Sequence, residues 1–227
     1  MKELILYHGS DHIVSQPKYG LGWMNNDYGR GFYCSKSRDL AMEWAVDEDR
    51  DGFCNSYSLS LDGLSILRLN QKGFSALNWL AILIENRRFE SDTPLERAAK
   101  EYLHEHFLPK SYRQYDLIIG YRADDSYFGF AARFLQGGYS LRQLSYALKL
   151  GKLGEQVVLI SPKAFAQISF LGSIEARRED YLEKKKKRDE LARVLFRASR
   201  GWEFAPGDIY IQDIMREGME HGDPRLL

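Results

Sequence analysis

His8-Gly9-Ser10 closes an apolar run (Leu4, Ile5, Leu6), as a strand would deliver a histidine to the rim of a sheet. A second segment, Asp27-Tyr28-Gly29-Arg30-Gly31-Phe32-Tyr33, is a glycine-bracketed turn running into a short aromatic strand. A histidine and a tyrosine on neighbouring strands, with pliant backbone between them, suit a site that grips a flat heterocycle and a ribose. Breaking the bond between the two passes through an oxocarbenium-like state with positive charge on the sugar. That chemistry needs a hydrogen bond to the ribose hydroxyls, a surface to orient the heterocycle and a polar group at the reacting centre. His8, Gly9 and Ser10 would supply the ribose contact, a backbone clamp and a second hydroxyl. Tyr33 would supply the stacking face and Trp44, eleven residues on, a second aromatic wall.

The elements that must position these groups read as follows. Residues 3–7 and 31–35 form strands, and Ser37 or Asp39 caps a helix reaching about Asp49. Ser56–Leu61 and Ser65–Leu69 flank Asp62-Gly63 and are expected to pair as a hairpin. Phe74–Asn86 is an apolar helix; Thr93-Pro94-Leu95-Glu96 caps another that reaches His106. Tyr115–Tyr121 is a core strand, followed by the acidic loop Ala123-Asp124-Asp125 and helices over Tyr127–Gln136 and Leu141–Leu150. Glu155–Ile160 is an apolar strand, Pro162–Gln167 a helical turn and Ile168–Leu171 a short strand. From Ile174 to about Arg200 the pattern is one highly charged helix, and a last helix covers Tyr210–Met219. Uneven helices between strands indicate an α+β domain over residues 1–173, with 174–227 as a charged helical extension packed on or beside it.

The 227 residues carry 32 basic and 32 acidic side chains, so no global field draws the chain to nucleic acid. No run approaches the length of a membrane span or a signal peptide, and the expected location is the cytoplasm without a membrane partner. Cys34 and Cys54 have no companions at zinc spacing, and His104 and His106 do not share a helix face, so no metal is expected.

His8-Gly9-Ser10 followed by Gly29-Arg30-Gly31-Phe32-Tyr33 resembles the HGS and GKGIY motifs of the poly-ADP-ribose polymerase branch of the ADP-ribosyltransferases. That branch has a further aromatic flanking nicotinamide, eleven residues past the motif tyrosine, where Trp44 stands. The whole chain is more similar to an uncharacterised bacterial family of the same superfamily. That family has a Tyr-His-Gly-Ser start, a D-[FY]-G-x-G-F-Y segment, an I-G-x-x-A-D-D segment and a Q-[VI]-V strand. Here they are Tyr7–Ser10, Asp27–Tyr33, Ile119–Asp125 and Gln156-Val157-Val158. The resemblance implies a split, mostly antiparallel β core with peripheral helices, and NAD as substrate. It also implies His8, Gly9, Ser10, Arg30, Gly31, Tyr33, Trp44 and Asp124 as NAD contacts, and a small antitoxin-like protein as partner, since such relatives look like toxins encoded beside one.

The third member of the family triad opens a late strand and is glutamate in active transferases. Glu155 and Gln156 stand there on opposite faces, so one of them enters the site. The polymerase pattern asks for Glu155 and the bacterial pattern for Gln156. With Gln156 inside, Asp124 or Asp125 could bring a carboxylate, unless the pair caps the next helix. Trp44 fits a core position as well as a wall, Cys34 reads as inert packing, and Lys184–Arg188 reads as part of an ion-paired helix.

The expected activity is transfer of ADP-ribose from NAD to a macromolecular acceptor with release of nicotinamide, water as acceptor giving a glycohydrolase. Two alternatives remain: an NAD or ADP-ribose binding module with weak catalysis, and a protein or RNA interaction protein working through its charged helix.

Overall fold

The computed structural model describes residues 2–89, 93–122, 125–149, 154–198 and 205–226. Among these residues seven strands lie in one sheet: β1 (Glu3–Ser10), β2 (Phe32–Ser35), β3 (Gly52–Ser60), β4 (Ile66–Arg68), β5 (Leu117–Tyr121), β6 (Glu155–Leu159) and β7 (Ile168–Ala176). Their order is β4-β5-β6-β2-β1-β3-β7, antiparallel throughout except β4 with β5. The helices are α1 (Arg38–Ala45), α2 (Ala76–Asn86), α3 (Pro94–Phe107), α4 (Asp125–Leu135), α5 (Leu141–Ala147), α6 (Pro162–Ala166), α7 (Arg178–Ala198) and α8 (Ile211–Arg216). The mixed α+β class is as expected.

Alternation along β5 and β6 divides the core. Ile118 and Val158 join a large cluster under α2 to α5 built on Leu77, Trp79, Leu80, Leu103 and Phe134. Leu117, Ile119, Val157 and Leu159 face the other way, onto Leu6, Cys34 and Leu59. Strands buried on both faces read as continuous apolar runs, which is how Leu117-Ile118-Ile119 and Val157-Val158-Leu159 appear. Ile211 and Ile214 of α8 and Met219 belong to the larger cluster too.

The expected hairpin over 56–69 does not form. β3 has both edges taken, by β1 and β7, while β4 lies beside β5 at the opposite edge of the sheet. The Asp116 carboxylate decides this, accepting from Ser65 N (2.8 Å) and Ser65 Oγ (3.0 Å) and pinning the start of β4 against β5. The β7 ladder continues to Ala176 opposite Gly52, so the charged helix starts at Arg178 rather than Ile174. α1 ends at Ala45, four residues short of the expected end, because the chain turns through an Asp47–Arg50 bridge.

α7 is not a wholly solvated helix. Arg188 meets the buried Glu43 of α1 through Nε (2.8 Å) and Nη2 (2.7 Å), and Lys185 Nζ donates to the Val46 carbonyl just past α1 (2.9 Å). A lysine on an unsatisfied terminal carbonyl complements the helix dipole. Among the described residues no helix is long and apolar enough to cross a membrane.

Candidate functional site: a cleft where the sheet parts

β1 and β2 share one register pair, Tyr7 with Ser35. Beyond it β1 runs on to Ser10 while β2 has come from Phe32, and the ladder is not continued. A cleft of about 1000 Å³ opens at this parting, walled by both strands, the irregular 11–31 connection, α1 and the start of β6. A loop of that length without regular structure is a common carrier of function.

His8 bridges the gap. Its Nδ1 lies 2.7 Å from the Tyr33 carbonyl oxygen. A carbonyl only accepts, so Nδ1 carries the proton and Nε2 keeps a lone pair. Burial lowers the His8 pKa, outweighing the hydrogen bond to Tyr33, with His12 nearby adding to the lowering. The neutral ring packs on Phe32 with centroids 4.4 Å apart.

Gly9 is required by close packing. A Cβ there would lie 2.0 Å from the Ala41 carbonyl oxygen and 2.7 Å from Ala45 N, so a side chain would push α1 off β1. Gly31 is similar, its Cβ falling 2.6 Å from Val158 Cγ1 of β6. Both line the cleft. Ser10 also lines it, but its hydroxyl donates to the His12 carbonyl (2.6 Å) and accepts from Asn55 Nδ2 (2.9 Å). Ser10 therefore shapes the loop rather than presenting a spare donor. Tyr33 forms a wall, and its hydroxyl donates to Gly29 O (2.6 Å) and accepts from Tyr28 N (3.1 Å), holding the glycine turn.

The Glu155/Gln156 alternative resolves in favour of glutamine. Gln156 is 5 % exposed and lines the cleft; its Oε1 is buried with no hydrogen-bond partner among the described residues. Glu155, on the other face of β6, is ion-paired to Lys36 at 2.7 Å and does not line the cleft. Trp44 is half-buried in the wall, and the Arg122 guanidinium lies 3.5 Å from its ring centroid. Trp44 is thus both wall and cation platform. Arg30 is exposed and outside the lining of the cleft. Asp124 lies outside the described residues; Asp125 opens α4, and its side chain lies outside them as well.

Sequence reasoning missed Asn55, Arg50, Arg87 and Arg122. Asn55 is fully buried on β3, accepts from Val14 N (3.0 Å) and holds the 8–12 segment through its amide. An asparagine in the middle of an otherwise strand-forming run was the available signal. The three arginines come from distant segments and gave none. With Lys18 they make four basic side chains in the lining against Asp11 and Asp27, a balance that favours an anionic ligand. Asp27 is itself buried and paired with Arg87 at 3.3 Å. At the mouth, Leu21 and Trp23 are 76 % and 82 % exposed.

Both cysteines are buried and unpaired with each other; burial pushes the Cys34 thiol far up and the Cys54 thiol to about 11, so neither supplies a thiolate. Among the described residues no group of three His, Cys, Asp or Glu side chains could hold a metal ion.

Residues 4–170 match the model of the family described as "Protein of unknown function (DUF3990)". Comparison with curated proteins and with solved structures returns no match.

Proposed function

We propose that this chain, which belongs to the DUF3990 family, binds NAD in the cleft where β1 and β2 part and transfers its ADP-ribosyl group to a macromolecular acceptor, releasing nicotinamide. The observation that carries the reading is Gln156 Oε1, a buried acceptor with no partner among the described residues, in the same cleft as the lone-pair nitrogen of His8. Leaving such an atom unpaired costs about 1–3 kcal/mol, so its retention fits a ligand that donates to it. Ribose hydroxyls and the nicotinamide amide are such donors. The basic excess of the lining suits the pyrophosphate, and the Tyr33 ring suits the nicotinamide face. The exposed Leu21 and Trp23 at the mouth suit a macromolecular acceptor better than a small one. The motif resemblance supports the ADP-ribosyltransferase arrangement of the sheet and a small antitoxin-like protein as partner.

One observation favours a second reading. A carboxylate stabilises an oxocarbenium ion and an amide does not, and Glu155 is turned away. A protein that binds NAD or ADP-ribose with weak catalysis is consistent with that.

The test is nicotinamide release from NAD by the purified chain, with and without cell lysate, beside His8→Ala. Release that needs lysate and is lost in His8→Ala supports the transferase. NAD binding without release supports the binding module, and absence of both binding and release overturns the NAD reading.

A further inference from the structure

We infer that Asp11 and His12 form the proton-accepting element of the cleft, the His12 imidazole taking the acceptor's proton as the ribose carbon is attacked. The inference rests on the transferase reading. In that reaction an acceptor oxygen or nitrogen bonds to the anomeric carbon of the nicotinamide ribose. The carbon–nitrogen bond breaks, its electron pair stays with nicotinamide, which leaves neutral, and the acceptor loses a proton. A group at the cleft must receive that proton.

The other groups there, among the described residues, are unsuited to the task. His8 is a half-buried ring whose pKa is lowered, tied through Nδ1 to the Tyr33 carbonyl. Gln156 does not titrate, Glu155 faces Lys36, and Asp27 is buried against Arg87.

His12 stands at the exposed mouth of the same cleft. Its Nδ1 lies 2.6 Å from Asp11 Oδ1, so the ring donates through Nδ1 and, in its neutral form, holds the lone pair on Nε2. A contact between sequence neighbours would by itself be a loop detail. Here both members are also fixed from far along the chain. Arg50 Nη1 holds the second Asp11 oxygen at 3.2 Å. The His12 carbonyl accepts from Ser10 Oγ (2.6 Å) and from the buried Asn55 Nδ2 (3.3 Å). Arg50 closes the turn just before β3 and Asn55 lies within β3, so the dyad is built onto the sheet. The His12 hydrogen bond lowers the Asp11 pKa, which keeps the carboxylate charged to steady an imidazolium. A base oriented by a carboxylate is the arrangement that activates a nucleophile. Asn55 is a positioning residue in this scheme, and His12 is the group that meets the acceptor.

The experiment uses the full chain, NAD labelled on its adenylate phosphate and cell lysate as acceptor source. Nicotinamide release, label retained on macromolecules and calorimetric NAD affinity are read for wild type, His12→Gln and Asp11→Asn. Both variants alter exposed side chains, and matching thermal melts establish intact folds. The expected result is a loss of transfer of about 100-fold or more in His12→Gln with NAD affinity unchanged, and a smaller loss in Asp11→Asn. Transfer at the wild-type rate in His12→Gln overturns the inference alone. So does a loss of NAD affinity that accounts for all the lost activity. A wild-type chain that neither binds nor cleaves NAD overturns the transferase reading and this inference together.

Discussion

His8 Nδ1 lies 2.7 Å from the carbonyl oxygen of Tyr33, a side-chain bond spanning the gap between two strands that share a single backbone register pair. The bond fixes the histidine tautomer, and burial keeps the ring neutral, so the cleft receives a hydrogen-bond acceptor rather than a cation.

That state makes stability depend on pH. The folded His8 pKa lies below the ordinary histidine value, mainly through burial, so the unfolded chain binds more protons between the two values. The stabilisation is present above the unfolded value of about 6.5 and is lost as pH falls toward the folded value. Urea unfolding of wild type is expected to show stability falling with acid in this window. His8→Gln should flatten the His8 share of that slope, and an unchanged slope would contradict a lowered His8 pKa.

Gln156 separates stability from ligand binding. Gln156→Leu removes an unpaired buried acceptor and should leave stability unchanged or raise it by about 1 kcal/mol. The same substitution should abolish NAD binding by calorimetry. Gln156→Glu should increase nicotinamide release if the oxocarbenium chemistry operates at this position. A melt showing strong destabilisation of Gln156→Leu would mark the residue as structural.

Gly9→Ala should fail for a steric reason. The new Cβ would meet the Ala41 carbonyl at 2.0 Å, and both neighbours are backbone atoms that cannot rotate away. Overpacking of this kind costs about 1–3 kcal/mol, which in a chain of this size lowers Tm by about 2–4 °C per kcal/mol. Calorimetric melting of the variant checks this, and NAD affinity should drop with it because α1 carries Trp44.

Arg188 and Glu43 tie α7 to α1. Glu43 is 2 % exposed, so Arg188→Ala leaves a buried carboxylate without its bidentate partner. Loss of one member of such a pair costs about 3–5 kcal/mol, whereas Arg188→Ala with Glu43→Leu should recover most of it. A double-mutant cycle in urea reads the coupling, and additive effects would show that α7 is not anchored there.

Local signals determined much of the framework. The strands carrying Tyr33 and Gln156, and β1 up to the residue before His8, were legible as apolar or aromatic runs of strand length, and Ser37 and Thr93 cap their helices through their own hydroxyls. The period-two rule stated that one of Glu155 and Gln156 must face the cleft. It could not say which, because the choice depends on where β6 is inserted between β5 and β2. Pairing was likewise beyond local reading. An Asp-Gly turn between strand-like runs favours a hairpin, whereas in the fold both β3 edges are occupied and the distant Asp116 carboxylate holds the start of β4 at the far side of the sheet. Arg50, Arg87 and Arg122 look like surface charge in sequence, since a charged side chain has no periodicity to betray its partner. The tertiary fold brings them around one cleft, because β1 and β2 part after a single pair and the chain segments that border the opening are far apart in sequence.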